Sequence, residues 1–137
     1  MRYLTPTLLL ASVVAAPLAA QQSGAVLPTA AAVPAEYVGN CPARIAFIGR
    51  VTVTIPGTRI DYRWVRSNGD SGKILHAQIG KPRAAGDTAT GNFTGALPAD
   101  VWHVALPLQT GRFWEVLHIL SPFDIASGRA VVAVDCR

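Results

Sequence analysis

From Cys41 onward, apolar side chains recur at every second position. Cys41, Ala43, Ile45, Phe47, Gly49, Val51, Val53 and Ile55 share one parity; Arg44, Arg50, Thr52 and Thr54 share the other, with Ile48 the exception. A period of two is that of a strand with one buried face. The spacing predicts one long strand here, bent or bulged at Gly49. Ile60, Tyr62 and Trp64 then alternate with Arg59, Asp61 and Arg63. Asn68-Gly69 follows, a dipeptide that tolerates positive φ and signals a hairpin. The return strand is predicted over Lys73 to Ile79, with Leu75, Ala77 and Ile79 inward. Val101 to Leu108 places Trp102, Val104, Leu106 and Leu108 on one face. Phe113 to Leu120 is apolar on both parities, as expected of a central strand ended by Pro122. Ala130 to Cys136 forms the last strand, with Val132, Val134 and Cys136 sharing a parity. Residues 80–96, rich in Gly, Thr and Ala, read as a long loop. No helical period of convincing length occurs.

The N-terminal segment has a different pattern. Arg2 precedes the apolar run Leu8 to Ala16, and Pro17-Leu18-Ala19-Ala20 follows. A basic start, a short apolar run and small residues make a secretory signal peptide, expected to be cleaved after Ala20. The run is too short to span a bilayer, and Pro17 interrupts it. Residues 21–40 are Ala- and Pro-rich and carry little charge, so they read as a flexible leader, with room for a short edge strand near Tyr37. The globular domain is expected over 41–137.

Its two cysteines, Cys41 and Cys136, stand at its two ends, both on the apolar parity. In an exported chain that placement favours a disulfide, provided the first and last strands are neighbours. Closing so long a loop is worth about 4–5 kcal/mol in the chain-entropy model. The alternative is two free thiols or half of a metal site, with no CxxC and no clustered histidine to support the latter.

Composition agrees with a loop-rich β protein. The chain has 137 residues, 12 of them Gly and 10 Pro. Twelve Lys+Arg stand against 8 Asp+Glu, scattered and without a basic run, so nucleic acid is not an expected partner. Single-domain length, frequent turn signals and two inward faces predict an all-β, antiparallel immunoglobulin- or fibronectin-like β-sandwich of six to seven strands. Trp64, on an early strand, is placed like the buried Trp of immunoglobulin domains.

The run Tyr62-Arg63-Trp64-Val65-Arg66-Ser67-Asn68-Gly69 resembles a Tyr-x-Trp-x-Arg-Ser-Asp-Gly pattern of small, uncharacterised exported bacterial domains. Cys41-Pro42, Trp102, Trp114, Leu120-Ser121-Pro122 and Val134-Asp135-Cys136 follow that family's order, and the resemblance covers residues 41–136. Asn68 departs from the family's Asp; both suit a turn. The resemblance implies fold and export, and brings no activity and no functional residues.

Candidate chemistry is sparse. Gly69-Asp70-Ser71-Gly72 matches the tetrapeptide around the nucleophile of chymotrypsin-like proteases. Lys73 stands where a further Gly is expected, all three histidines lie downstream, and the chain is too short for two barrels. Gly80-Lys81-Pro82 lacks the phosphate-loop spacing. His76, His103 and His118 fall on three strands with no short-spaced pair, so no metal site is expected. Glu36 and Glu115 have no partner visible in sequence, and no cofactor is expected. Asn92-Phe93-Thr94 is a glycosylation sequon, expected to be unmodified in a bacterial chain. The candidate ligand contacts are Arg63 on a solvated strand face, Lys81 and Arg83 in the 80–96 loop, and Trp114, whose strand is apolar on both parities. The expected function is a secreted, non-enzymatic module for binding or envelope structure, with an envelope polysaccharide or another exported protein as partner. The alternatives are an inhibitor or binder that presents residues 80–96, and a small hydrolase built on Ser71 or the histidines.

Overall fold

The computed structural model describes residues 24–87, 91–104 and 111–137. These form ten strands: β1 (Val26–Val33), β2 (Glu36–Gly39), β3 (Ala43–Val53), β4 (Thr58–Arg66), β5 (Leu75–Ile79), β6 (Phe93–Ala96), β7 (Asp100–Val104), β8 (Gly111–Ser121), β9 (Ile125–Ala126) and β10 (Ala130–Cys136). Among the described residues there is no helix, and none long and apolar enough to cross a membrane. The expected signal peptide lies outside the described residues.

The strands make two sheets. In the narrower one β3 pairs with β1 on one edge and with β6 and β7 on the other. β6 and β7 lie end to end along β3, Arg50 opposite Ala96 and Phe47 opposite Asp100. The wider sheet has the order β2-β10-β8-β4-β5, with β9 beside β8. Their inner faces share one core. Ile45, Phe47, Val51 and Val53 of β3 meet Ile60, Tyr62 and Trp64 of β4, Leu117 and Ile119 of β8, and Val132 and Val134 of β10. The parity read from sequence is therefore that of the core in β3, β4 and β10; β8 is central as expected, but only its Glu115, Leu117, Ile119 parity is fully buried.

Several expectations are corrected. The strands number ten rather than six or seven, and the wholly antiparallel arrangement fails at one place: β2 runs parallel to β10. The leader is not a free segment. Its residues 26–33 form the edge strand along β3, and the short strand expected near Tyr37 is β2, at the edge of the other sheet. Among the described residues the strands thus begin at Val26, a core residue that precedes Cys41. Cys41 and Cys136 are bonded, with Cα atoms 5.5 Å apart and a sequence separation of 95. β3 and β10 belong to different sheets, however, so they are not hydrogen-bonded neighbours. The bond fastens the segment crossing from β2 to β3 onto the end of β10.

Gly49 does not bend β3. It faces inward, where a Cβ would lie 2.9 Å from the Trp64 ring and 3.0 Å from Leu117. The missing side chain makes room for the indole of the opposite sheet. Leu75, expected inward, is 40% exposed, because the five-column sheet overhangs the narrower one and only the end of β5, Ile79, is fully covered. Residues 80–96 are not one loop: 93–96 form β6, and Pro82 packs on Gly57 at the β3–β4 turn. Leu106 and Leu108 lie outside the described residues.

Candidate functional site

Two places gather polar chemistry. The first is internal and is built by the Tyr-x-Trp-x-Arg-Ser-Asn-Gly run. Tyr62 and Trp64 face the core. Ser67 pairs with the backbone of Trp114 in both directions, its N–H donating to the Trp114 carbonyl at 2.9 Å and its Oγ accepting from the Trp114 N–H at 3.3 Å. The Asn68 side chain accepts from the Asp70 N–H, and Gly69 takes positive φ (92°). These are turn-forming tasks, and they explain the motif as architecture.

Arg66, two positions after Trp64, points the same way and reaches between the sheets. Its Nε donates to Glu115 Oε1 at 3.0 Å, and its Nη2 donates to Asp100 Oδ2 at 3.0 Å. Its guanidinium carbon lies 5.1 Å from the centroid of the Trp102 ring, which meets Phe113 edge-on at 5.6 Å. Glu115 is fully buried, and its Oε2 finds no hydrogen-bond partner among the described residues. Burial first, then the Asp100 carboxylate, pushes the Glu115 carboxyl up to about 8, against the pull of Arg66. So large a rise favours the protonated form of Glu115 at neutral pH.

Glu115 has the partner the sequence did not reveal, because Asp100 comes from the other sheet. The available signal was parity: Glu115 shares the inward face of β8 with Leu117 and Ile119, and Arg66 shares that of β4 with Tyr62 and Trp64. A cleft of about 310 Å³ beside the cluster is lined by Arg66, Asp70, Ser71, Gly72 and Asp100. Ser71 therefore faces carboxylates and an arginine, and none of the lining residues is a histidine. His76 is held by Asp61 at 2.5 Å and His118 by Asp124 at 2.6 Å. Glu115, sealed in the core, has no surface to offer a substrate. The cluster fastens the two sheets at this end.

The second place is the outer face of the wide sheet. Trp114 projects from β8 opposite Val131 of β10, and the Arg129 guanidinium carbon lies 4.4 Å from its ring centroid. Val116 and His118 follow along β8, facing Val65 and Arg63 of β4. Arg63 is half-buried, and its Nε is enclosed without a partner among the described residues. Arg112 lies two positions before Trp114, on the same face. Among the described residues, none of Arg63, Arg112 and Arg129 has a carboxylate partner.

The four sequence candidates are thus divided. Arg63 and Trp114 share this face. Lys81 and Arg83 do not, since their loop packs near Gly57 at the start of β4, whereas Trp114 adjoins the turn at its end. Arg112 and Arg129 were missed: Arg129 sits in a turn, and only the β8–β10 register brings it over Trp114.

No family model, curated protein or solved structure matches the chain.

Proposed function

We propose that the chain is an exported, non-catalytic immunoglobulin-like module that works by binding, through the outer face of its six-stranded sheet. Export rests on the leader pattern of residues 1–20 and on a disulfide, a bond that persists in oxidising compartments. The immunoglobulin-like assignment is supported by the passage of the chain from one sheet (β1) to the other (β2), the parallel β2–β10 pair, and a buried Trp64 on β4.

One observation carries the binding assignment. Trp114 and Arg129 form a cation–π pair on an open sheet face, joined there by Arg63, with charges that no carboxylate among the described residues neutralises. An arginine held over an indole loses little further rotamer freedom on meeting a ligand. Paired aromatic and arginine side chains are the usual anchors of recognition surfaces. The partner is an envelope polysaccharide or another exported protein. Co-sedimentation of the purified protein with cell-envelope fractions tests the reading. Retention is expected to survive high salt in part and to drop on Trp114→Ala. Equal retention of the Trp114→Ala protein would overturn it, as would turnover of a substrate lost on a single substitution.

A further inference from the structure

We infer that the outer face of the wide sheet takes a carboxylated polysaccharide, laid along a diagonal of three arginines. The inference rests on the binding role proposed above and names the class of ligand. Arg63 stands opposite His118 on β8, Arg129 covers Trp114, and Arg112 lies two residues further along β8. The diagonal therefore covers the length of β8 from His118 to Arg112, about 20 Å at strand rise. A small anion would engage one of these cations; an extended chain engages all three.

Beyond Arg112 the face opens into a groove of about 320 Å³, floored by Ala133 and Gly111 and bounded by Val38, Glu36 and Asp135. Asp135 is bonded to Arg137, and Asp61 and Asp124 are occupied by His76 and His118. Glu36 is the one acid of the groove with no ion-pair partner among the described residues. The diagonal carries three cations without ion-pair partners among the described residues, and the acids of this face, Asp61, Asp124, Glu36 and Asp135, stand at its ends.

The chemistry selects among polyanions. The planar guanidinium fork matches a carboxylate with two parallel hydrogen bonds. The Trp114 ring already carries Arg129, so it is not an open platform for a nucleic-acid base. The exposed large apolar side chains of this face, Val131 and Val38, are too short to anchor in a lipid layer. A linear, hydroxylated chain with carboxylates at intervals suits a sheet face with spaced cations.

The test is calorimetric titration of the purified protein with polygalacturonate, with neutral dextran and anionic phospholipid vesicles in parallel. Two double variants are compared. Arg112→Gln/Arg129→Gln removes charge from the diagonal; Arg44→Gln/Arg50→Gln removes the same charge from the outer face of the narrow sheet, where both side chains are exposed. Circular dichroism melting confirms that both fold. Binding of polygalacturonate is expected, weakened at least ~10-fold by the first pair, as befits two charge-assisted contacts, and little changed by the second. Equal weakening by both pairs would mean unspecific attraction and would overturn the inference. So would tighter capture by vesicles. Retention of envelope material through Trp114 without any affinity for polygalacturonate would overturn the ligand class and leave the binding role standing. If no fraction is retained and no polymer binds, both fail.

Discussion

At the scale of single residues, Glu115 and Gly49 carry the clearest consequences. A carboxyl raised from its ordinary range to about 8 takes up a proton on folding between those values. The unfolded chain holds fewer protons there, so stability is greatest at the acid end of the window and is lost as pH rises through 8. The slope is at most about 1.4 kcal/mol per pH unit. Glu115→Gln keeps an acceptor for Arg66 Nε and removes the titration. Denaturant midpoints followed from pH 5 to 8 are expected to fall more steeply for the wild type than for the variant, and the difference between the two curves isolates Glu115. Parallel curves would show that Glu115 is ionised throughout. Gly49→Ala sets a steric cost against a propensity gain. Alanine is worth roughly 0.5–1 kcal/mol over glycine in a strand. Its methyl would press on the buried Trp64 ring, and such overpacking costs about 1–3 kcal/mol. A lower melting temperature is expected; an unchanged or higher one would show that the ring moves aside freely.

Among the elements, legibility depended on contrast between the two faces. β3 and β4 alternate apolar and polar residues, and their inward sets are those the sequence assigned. β1 escaped because both its faces are alike: Val26, Pro28, Ala30 and Ala32 lie on the more covered side, and Leu27, Thr29, Ala31 and Val33 on the exposed side. No period survives in such a segment, and Pro28 further disguises a strand that is tolerated at a sheet edge. The Arg66–Asp100–Glu115 cluster was hidden for another reason, since it joins strands of opposite sheets and no spacing encodes that pairing. The disulfide was legible from parity and from the leader-like pattern of residues 1–20, although the strands it was expected to join lie in opposite sheets. The place of β1 and β2 has a direct consequence. A chain beginning at Cys41 loses Val26 from the core and strips one edge of β3 over its register from Ala46 to Val53. It is expected to show no cooperative thermal transition, whereas a melt matching that of the longer chain would return residues 21–40 to the status of a leader.

For the molecule as a whole, the two sheets divide the work. Their shared interior, pinned at one end by the disulfide and crossed elsewhere by the Arg66 cluster, is architecture. The outer face of the wide sheet carries the Trp114–Arg129 pair, with Arg63 and Arg112 on the same face and none of these three arginines ion-paired among the described residues. Placing recognition there rather than in residues 80–96 follows from the loop itself, which is partly strand and partly packed on Gly57. Amide hydrogen exchange on the purified protein, with and without solubilised envelope polysaccharide, tests that placement most directly. Slowed exchange is expected in β8 around Trp114 and in the flanking parts of β4 and β10, with β1 and β3 unchanged. Protection confined to the narrow sheet or to residues 80–87, or no protection anywhere, would contradict it.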